Sequence, residues 1–222
     1  LSNSSAASDV YKRQNLCFDI GAYRGDRTAA FLALGAKVVA LEPQEKYYRY
    51  LIKKFSNNQN CIIVKKGVSD KEGELTFFIC EEADSISTFS QKWQTGRFRD
   101  YKWNKKEKVL CTTLDKLIKE FGLPHFCKID VEGFELQVLR GLSQPIKYIS
   151  FEFAREFFNE TKLCVEHLLS LGYNQFNCTI GEPTNFLFPQ WVKAPELMTT
   201  LKSIQNKLSW GDIYAKLYEK EN

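Results

Sequence analysis

From residue 15 onward, short apolar runs of strand character alternate with segments whose apolar positions recur at helical spacing. NLCFDI (15–20) predicts a strand, DRTAAFLAL (26–34) a helix and AKVVALE (36–42) a second strand, which is a βαβ rhythm. EKYYRYLIKKF (45–55) predicts a second helix and CIIVKKGVS (61–69) a third strand. ELTFFIC (74–80) and KVLCTT (108–113) read as strands that flank a polar segment and pair at an edge. In TLDKLIKEFG (113–122), Thr113 is the expected N-cap, Leu114, Leu117, Ile118 and Phe121 share one face, and Gly122 stops the helix. A strand FCKIDVE (126–132), a helix ELQVLRG (135–141), a strand IKYISFEF (146–153), a helix near TKLCVEHLLSLG (161–172) and a closing IYAKL strand complete the pattern. Strands alternating with helices predict an α/β fold of three layers on a mostly parallel sheet, with ligands bound beyond the carboxyl ends of the strands.

Length and composition change this picture little. With 222 residues, 44% of them hydrophobic and 26% charged, the chain fits one domain with a buried core. Its apolar runs stay below the roughly 18 to 20 residues of a membrane helix, so a soluble protein without a membrane span is expected. Seven scattered cysteines with no C-x-x-C pattern read as reduced thiols acting as small hydrophobes, hence a cytoplasmic setting. SSAASDVYKRQ (4–14) resembles the in-frame translation of a sequencing-library adapter. Residues 1–14 are therefore set aside, and a single native domain is expected over 15–222.

That segment carries Lys12, Arg13 and Asp9, so removing it takes the net charge from +4 to +3. Basic charge is concentrated in 92–108, where seven cations face only Asp100 and Glu107 and are interleaved with Trp93, Phe98, Tyr101 and Trp103. This basic aromatic loop, within 84–108, reads either as a lid over a substrate or as a solvated loop.

The first chemical signal is FDIGAYRGD (18–26), a glycine turn straight after a strand. A dinucleotide fingerprint needs glycines at i, i+2 and i+5. Here Gly21 and Gly25 are four apart, Tyr23 occupies i+2, and Asp26 opens the helix where a phosphate would sit. Asp19 and the bare amides of the turn instead suit a zwitterion such as a methionine moiety. Glu42, at the end of the second strand, can accept both hydroxyls of a ribose. Together these features predict S-adenosylmethionine as ligand. The second signal is KIDVEGFELQVLRG (128–141), where Lys128, Asp130 and Glu132 alternate off a strand end. Buried unpaired they would be costly, so a site or an ion-pair network is expected.

DIGAYRGD with Glu42-Pro43, GVSDKEGELTFF (67–78), TTLDKL (112–117) and KIDVEGFELQVLRG, in this order and spacing, resemble the FkbM family of methyltransferases. The resemblance covers roughly 15–153 plus WGDIYAK (210–216), which is similar to the family's last strand. It implies a Rossmann-like class I methyltransferase fold with an antiparallel terminal strand, S-adenosylmethionine as methyl donor, and a hydroxyl of a sugar or other small natural product as acceptor. Carried over by position, Asp19, Gly21, Ala22, Tyr23 and Gly25 shape the methionine pocket, Glu42 holds the ribose, and Ser69 and Asp70 lie near adenine. DSIST (84–88) is similar to a stretch beside the family's active site, which makes Ser85, Ser87 and Thr88 substrate residues.

For methyl transfer to oxygen the expected base is Asp130, then Glu132, tuned by Lys128. A metal-assisted route, with Mg²⁺ on the strand-end acids, stands as an alternative. His125 and His167 read as structural. Competing readings are a nucleic-acid methyltransferase, disfavoured because DVEGF is not the proline-rich aromatic turn such amino-methylating enzymes carry, and a non-enzymatic binding scaffold. An NAD-dependent reductase is disfavoured by the missing glycine. The acceptor's identity and the oligomeric state, a dimer included, stay open.

Overall fold

A computed structural model of the chain describes residues 15–181 and 185–217. The stretch read as adapter translation lies outside the described residues. The strands, in chain order, are β1 (Leu16–Ile20), β2 (Lys37–Leu41), β3 (Cys61–Val64), β4 (Gly67–Val68), β5 (Gly73–Ile79), β6 (Lys105–Thr112), β7 (Phe126–Ile129), β8 (Tyr148–Ala154), β9 (Gln175–Cys178) and β10 (Trp210–Lys216). The helices are α1 (Asp26–Ala33), α2 (Glu45–Lys54), α3 (Gln91–Thr95), α4 (Leu114–Phe121), α5 (Glu135–Arg140), α6 (Phe158–Ser170) and α7 (Ala194–Ser203).

Seven strands form the main sheet in the order β3-β2-β1-β7-β8-β10-β9. The first five are parallel, and β10 runs antiparallel to both β8 and β9. Alternation along β1 and β2 builds the layers. Phe18, Ile20, Val39 and Leu41 face a core shared with α4, α5, α6 and α7, while Cys17, Val38 and Ala40 face a second core under α1 and α2. A strand buried on both faces has no polar alternation to show, which is why these strands read as continuous apolar runs. The α/β, three-layer, mostly parallel fold with an antiparallel terminal strand is the one expected.

α4 forms as predicted: the Thr113 hydroxyl accepts the Lys116 N–H, Leu114, Leu117 and Ile118 are buried, and the chain leaves at Gly122 with φ +97°. Three of the predicted segments differ from expectation. The run 61–69 breaks after Val64, and β4 leaves the main sheet to pair with β6, which pairs antiparallel with β5. β7 stops at Ile129 instead of continuing to residue 132, because Glu132 and Gly133 both adopt positive φ. The loop expected at 84–108 contains a 3₁₀ turn (Asp84–Ile86), the five-residue α3 and the start of β6. Trp93 in α3 is only 2% exposed, so this part of the loop is packed, not solvated.

All seven cysteines are free thiols. His125 packs on Tyr148 and His167 lies 3.2 Å from the Leu142 carbonyl, structural settings as expected. Among the described residues no helix is long and apolar enough to cross a membrane.

Candidate functional site

The carboxyl end of β1 is built around a turn with no spare room. The N–H groups of Gly21 and Ala22 both donate to the Leu41 carbonyl, at 3.0 and 2.9 Å. Gly21 has φ +84°, and a Cβ there would lie 1.9 Å from the Asp130 carbonyl oxygen. Only glycine lets β1, β2 and β7 meet this closely.

Tyr23, at φ +47°, donates its N–H to one oxygen of Glu42 at 2.8 Å, and Gln44 donates its N–H to the other, also at 2.8 Å. Each carboxylate oxygen thus keeps lone-pair capacity for a further donor. Burial pushes the Glu42 carboxyl up to about 7, against the lowering effect of these two N–H groups. Glu42 and Gly21 line a cavity together with the apolar side chains of Leu41, Val68, Phe77 and Phe89. Gly67 keeps that wall closed, since a Cβ there would lie 2.5 Å from Phe89 Cζ. A buried carboxylate beside apolar and aromatic side chains is a lining compatible with a nucleoside.

Beyond the slot lies a second cavity of about 780 Å³ with Arg27, Arg97, Phe98, Trp210 and Tyr214 in its walls. Ser85, Asp130 and Glu132 line both cavities. Glu152 of β8 joins them, so that Asp130, Glu132 and Glu152 each bring a carboxylate oxygen within 4.8 Å of the others, a spacing that a divalent cation could bridge. Burial first, and then neighbouring carboxylates, hold Glu132 and Glu152 well above the usual carboxylate range. Lys128 lies beneath, buried, 3.2 Å from Asp130 and 2.8 Å from Asp212. Burial opposes its charge, but the two aspartates outweigh it and its pKa is raised.

The loop that presents Glu132 is held from two sides. Glu135 accepts the N–H groups of Val131 and Gly133, each at 3.2 Å, and the Thr88 hydroxyl donates to the Glu132 carbonyl at 2.7 Å.

Of the residues expected from sequence, Gly21, Tyr23, Glu42, Ser85, Ser87, Asp130 and Glu132 line the first cavity. The others line neither cavity. Asp19 is buried and accepts the Thr28 hydroxyl, tying β1 to α1, and burial pushes its carboxyl up to about 6. Ala22 is buried, and a Cβ on Gly25 would strike Leu51 and Phe55, so both shape the turn from behind. The Ser69 hydroxyl donates to Asp70, and the slot is lined instead by Lys66, Gly67 and Val68 just before them. Thr88 is fully buried with its hydroxyl committed to the Glu132 carbonyl and the Ser90 N–H, which makes it a strut and not a substrate contact. Lys128 orders Asp130 from below. Glu152 and Asp212 were not anticipated; the signal was one acid inside each of the strand runs SFEFA and WGDIYAK.

The profile of the methyltransferase FkbM domain matches residues 19–178, and the chain belongs to that family of S-adenosylmethionine-dependent methyltransferases. A search of curated proteins returned no match. Solved structures similar to the chain include the precorrin-6y C5,15-methyltransferase of Geobacter metallireducens GS-15, at 13% identity over 95% of this chain and 87% of that one, with a TM-score of 0.47. A SAM-dependent O-methyltransferase of Thermotoga maritima shows 11% identity, coverage of 100% and 68%, and a TM-score of 0.44. Aeropyrum pernix fibrillarin, crystallised with bound S-adenosyl-L-methionine, shows 11% identity, coverage of 92% and 67%, and a TM-score of 0.46. None of them bears on the acceptor.

The elevated Glu42 carboxyl has a measurable consequence. If Glu42 accepts the two hydroxyls of a ribose it must be ionised, so the ligand would compete with a proton. Affinity for S-adenosylhomocysteine is expected to rise about tenfold from pH 6 to pH 8, with proton release on binding below pH 7. Calorimetry in buffers of different ionisation enthalpy checks this; a flat profile contradicts the clamp.

Proposed function

We propose that the chain transfers the methyl group of S-adenosylmethionine to a hydroxyl oxygen of a sugar or comparable small acceptor. The observation that carries this reading is the meeting of two cavities at Asp130 and Glu132, a nucleoside slot on one side and an aromatic-walled chamber on the other. Glu42 holds the ribose hydroxyls, Phe77 and Phe89 enclose the base, and the Gly21 turn admits the amino-acid part. When bound, S-adenosylmethionine supplies an activated methyl on a sulfonium. The chain's own residues position the acceptor and take its proton. Positioning is worth about 7 to 11 kcal/mol, and a general base adds about 10²- to 10⁴-fold.

The base is assigned to Glu132 with Glu152 instead of Asp130. Asp130 is paired with Lys128 at 3.2 Å, whereas among the described residues no cation lies within ion-pair distance of Glu132 or Glu152. Phe98, Trp210 and Tyr214 offer faces on which a sugar ring can stack. The chemistry of the basic loop supports a small acceptor over nucleic acid. Among the described residues, Lys92, Arg97, Arg99, Lys102 and Lys105 all have acidic partners, so five of the loop's seven cations are already matched.

Label transfer from S-adenosylmethionine to a panel of sugars and glycosides tests the proposal. Glu132→Gln is expected to lower turnover about 10²- to 10⁴-fold while S-adenosylhomocysteine binding is kept. Full turnover in that variant removes the assignment, and activity lost to EDTA and restored by Mg²⁺ moves the three acids to a metal-binding role.

A further inference from the structure

Asp84, at the start of the 3₁₀ turn, lines neither cavity, yet three residues use its oxygens. Its carboxylate accepts the Tyr23 hydroxyl at 3.0 Å and pairs with Lys46 at 2.5 Å. Its carbonyl accepts the side-chain N–H of Gln44 at 3.3 Å. Burial opposes the charge of Asp84, but Lys46, Tyr47 and Tyr23 outweigh it and hold the carboxyl down at about 2. Asp84 is therefore a charged acceptor at neutral pH.

Two of these bonds lead straight to the donor side. Tyr23 and Gln44 are the residues whose backbone N–H groups hold the Glu42 carboxylate. Each is gripped at both ends, by Glu42 through its backbone and by Asp84 through its side chain. For Tyr23 the second grip matters, because φ +47° is an uncommon conformation for a residue with a side chain and is kept only where the surroundings hold it. The Tyr47 hydroxyl lies 3.3 Å from that of Tyr23, with the ring centres 4.3 Å apart, so the phenol is packed as well as bonded. The turn itself forms the other end of the link. Ser85, next to Asp84, lines both cavities, and Ser87 lines the first. The Ser87 N–H donates back to the Asp84 carbonyl at 3.3 Å, and the Ser87 hydroxyl accepts the Cys80 N–H at 3.2 Å, which ties the turn together around Asp84.

We infer that Asp84 is a positioning residue that couples the two cavities: through Tyr23 and Gln44 it fixes the orientation of Glu42, and through the turn it sets Ser85 at their junction. A donor held by Glu42 and an ordered turn then favour one another, and by linkage each strengthens the other by the same factor. An acceptor accordingly meets a finished junction only once the donor is in place. The coupling rests on the first cavity being the nucleoside slot and is independent of which acceptor is used.

Calorimetry with S-adenosylhomocysteine, together with hydrogen exchange over residues 80–90 read by mass spectrometry, tests the coupling without any acceptor. Tyr23→Phe removes the hydroxyl but keeps the net charge and the backbone N–H on Glu42, and Asp84→Ala removes the carboxylate. Each is expected to weaken binding about tenfold, the scale of one hydrogen bond to a charged group. The double variant is expected to lose no more than Asp84→Ala alone, because both substitutions break the same link. In the parent, S-adenosylhomocysteine is expected to slow exchange in the turn, and in Tyr23→Phe that protection is lost. A residue that only braced the fold would lower the melting temperature without changing the protection. Glu82→Gln removes the same charge as Asp84→Ala, two residues earlier, from an exposed pair with Lys102 at 3.6 Å; as control it leaves both readings unchanged. Glu42→Gln separates the coupling from the slot. Weakened binding in Glu42→Gln, with parent-like affinity and protection in Tyr23→Phe and Asp84→Ala, overturns the coupling alone. Parent-like affinity in Glu42→Gln as well overturns both, and additive losses in the double variant overturn the coupling.

Discussion

Glu42→Gln is expected to weaken S-adenosylhomocysteine binding about a hundredfold, or about 2.7 kcal/mol at pH 8. The amide keeps the volume of the carboxylate but leaves a single acceptor oxygen, while Tyr23 N, Gln44 N and two ribose hydroxyls all seek one. One backbone N–H is then turned against an amide donor. The apo protein does not suffer equally, because the same substitution removes a buried carboxyl whose charged form is disfavoured by burial. The melting temperature is accordingly expected to move little, which separates this result from misfolding. Calorimetry and thermal melting on the same preparation check both halves. Affinity within threefold of the parent contradicts the diol clamp.

The second large effect is on stability. Gly21→Ala is expected to destabilise the chain by about 3 to 5 kcal/mol and to lower its melting temperature by roughly 10 °C. Two costs add: an alanine at φ +84°, and a methyl group 1.9 Å from the Asp130 carbonyl oxygen. The second cannot be relieved by a rotamer, since both atoms belong to backbone-fixed positions on adjacent strand ends. Gly35→Ala is the matched control. Its φ is +82°, but a Cβ there meets nothing within 4 Å, so only the backbone strain of about 1 kcal/mol remains. Equal melting temperatures for the two variants contradict the close approach of β1 and β7 described here.

What was legible in the sequence follows from how local each feature is. The β1 turn and Glu42 could be read because an apolar run, a glycine and an acid at the next strand's end lie within one βαβ unit. The family resemblance rests on the same stretch. Glu152 could not be read, since one acid between phenylalanines acquires meaning only when β8 lies beside β7 and Phe151 is registered with Ile129. Asp212 depends likewise on the antiparallel register that sets it opposite Glu152.

Thr88 misled for a physical reason: a hydroxyl in a serine-rich loop looks available to a substrate, but this one is used to brace the left-handed Glu132. The expected strand through residue 132 failed at the same spot. Alternation predicted that Lys128, Asp130 and Glu132 would share a face, whereas a turn, not pleating, brings Glu132 to the cavity. α3 escaped because five residues are too few for a period, and α7 because its buried positions, Ala194, Leu197 and Leu201, follow a proline-containing start amid polar neighbours.

The central claim is that one slot, bounded by Glu42 and the Gly21 turn, holds the nucleoside and opens onto the acid cluster. A crystal structure of the chain soaked with S-adenosylhomocysteine tests it most directly. The account predicts both ribose hydroxyls within hydrogen-bond distance of the Glu42 carboxylate, the base between Phe77 and Phe89, and the thioether sulfur turned toward Asp130 and Glu132. A nucleoside bound elsewhere, with Glu42 untouched and Gly21 open to solvent, would contradict it.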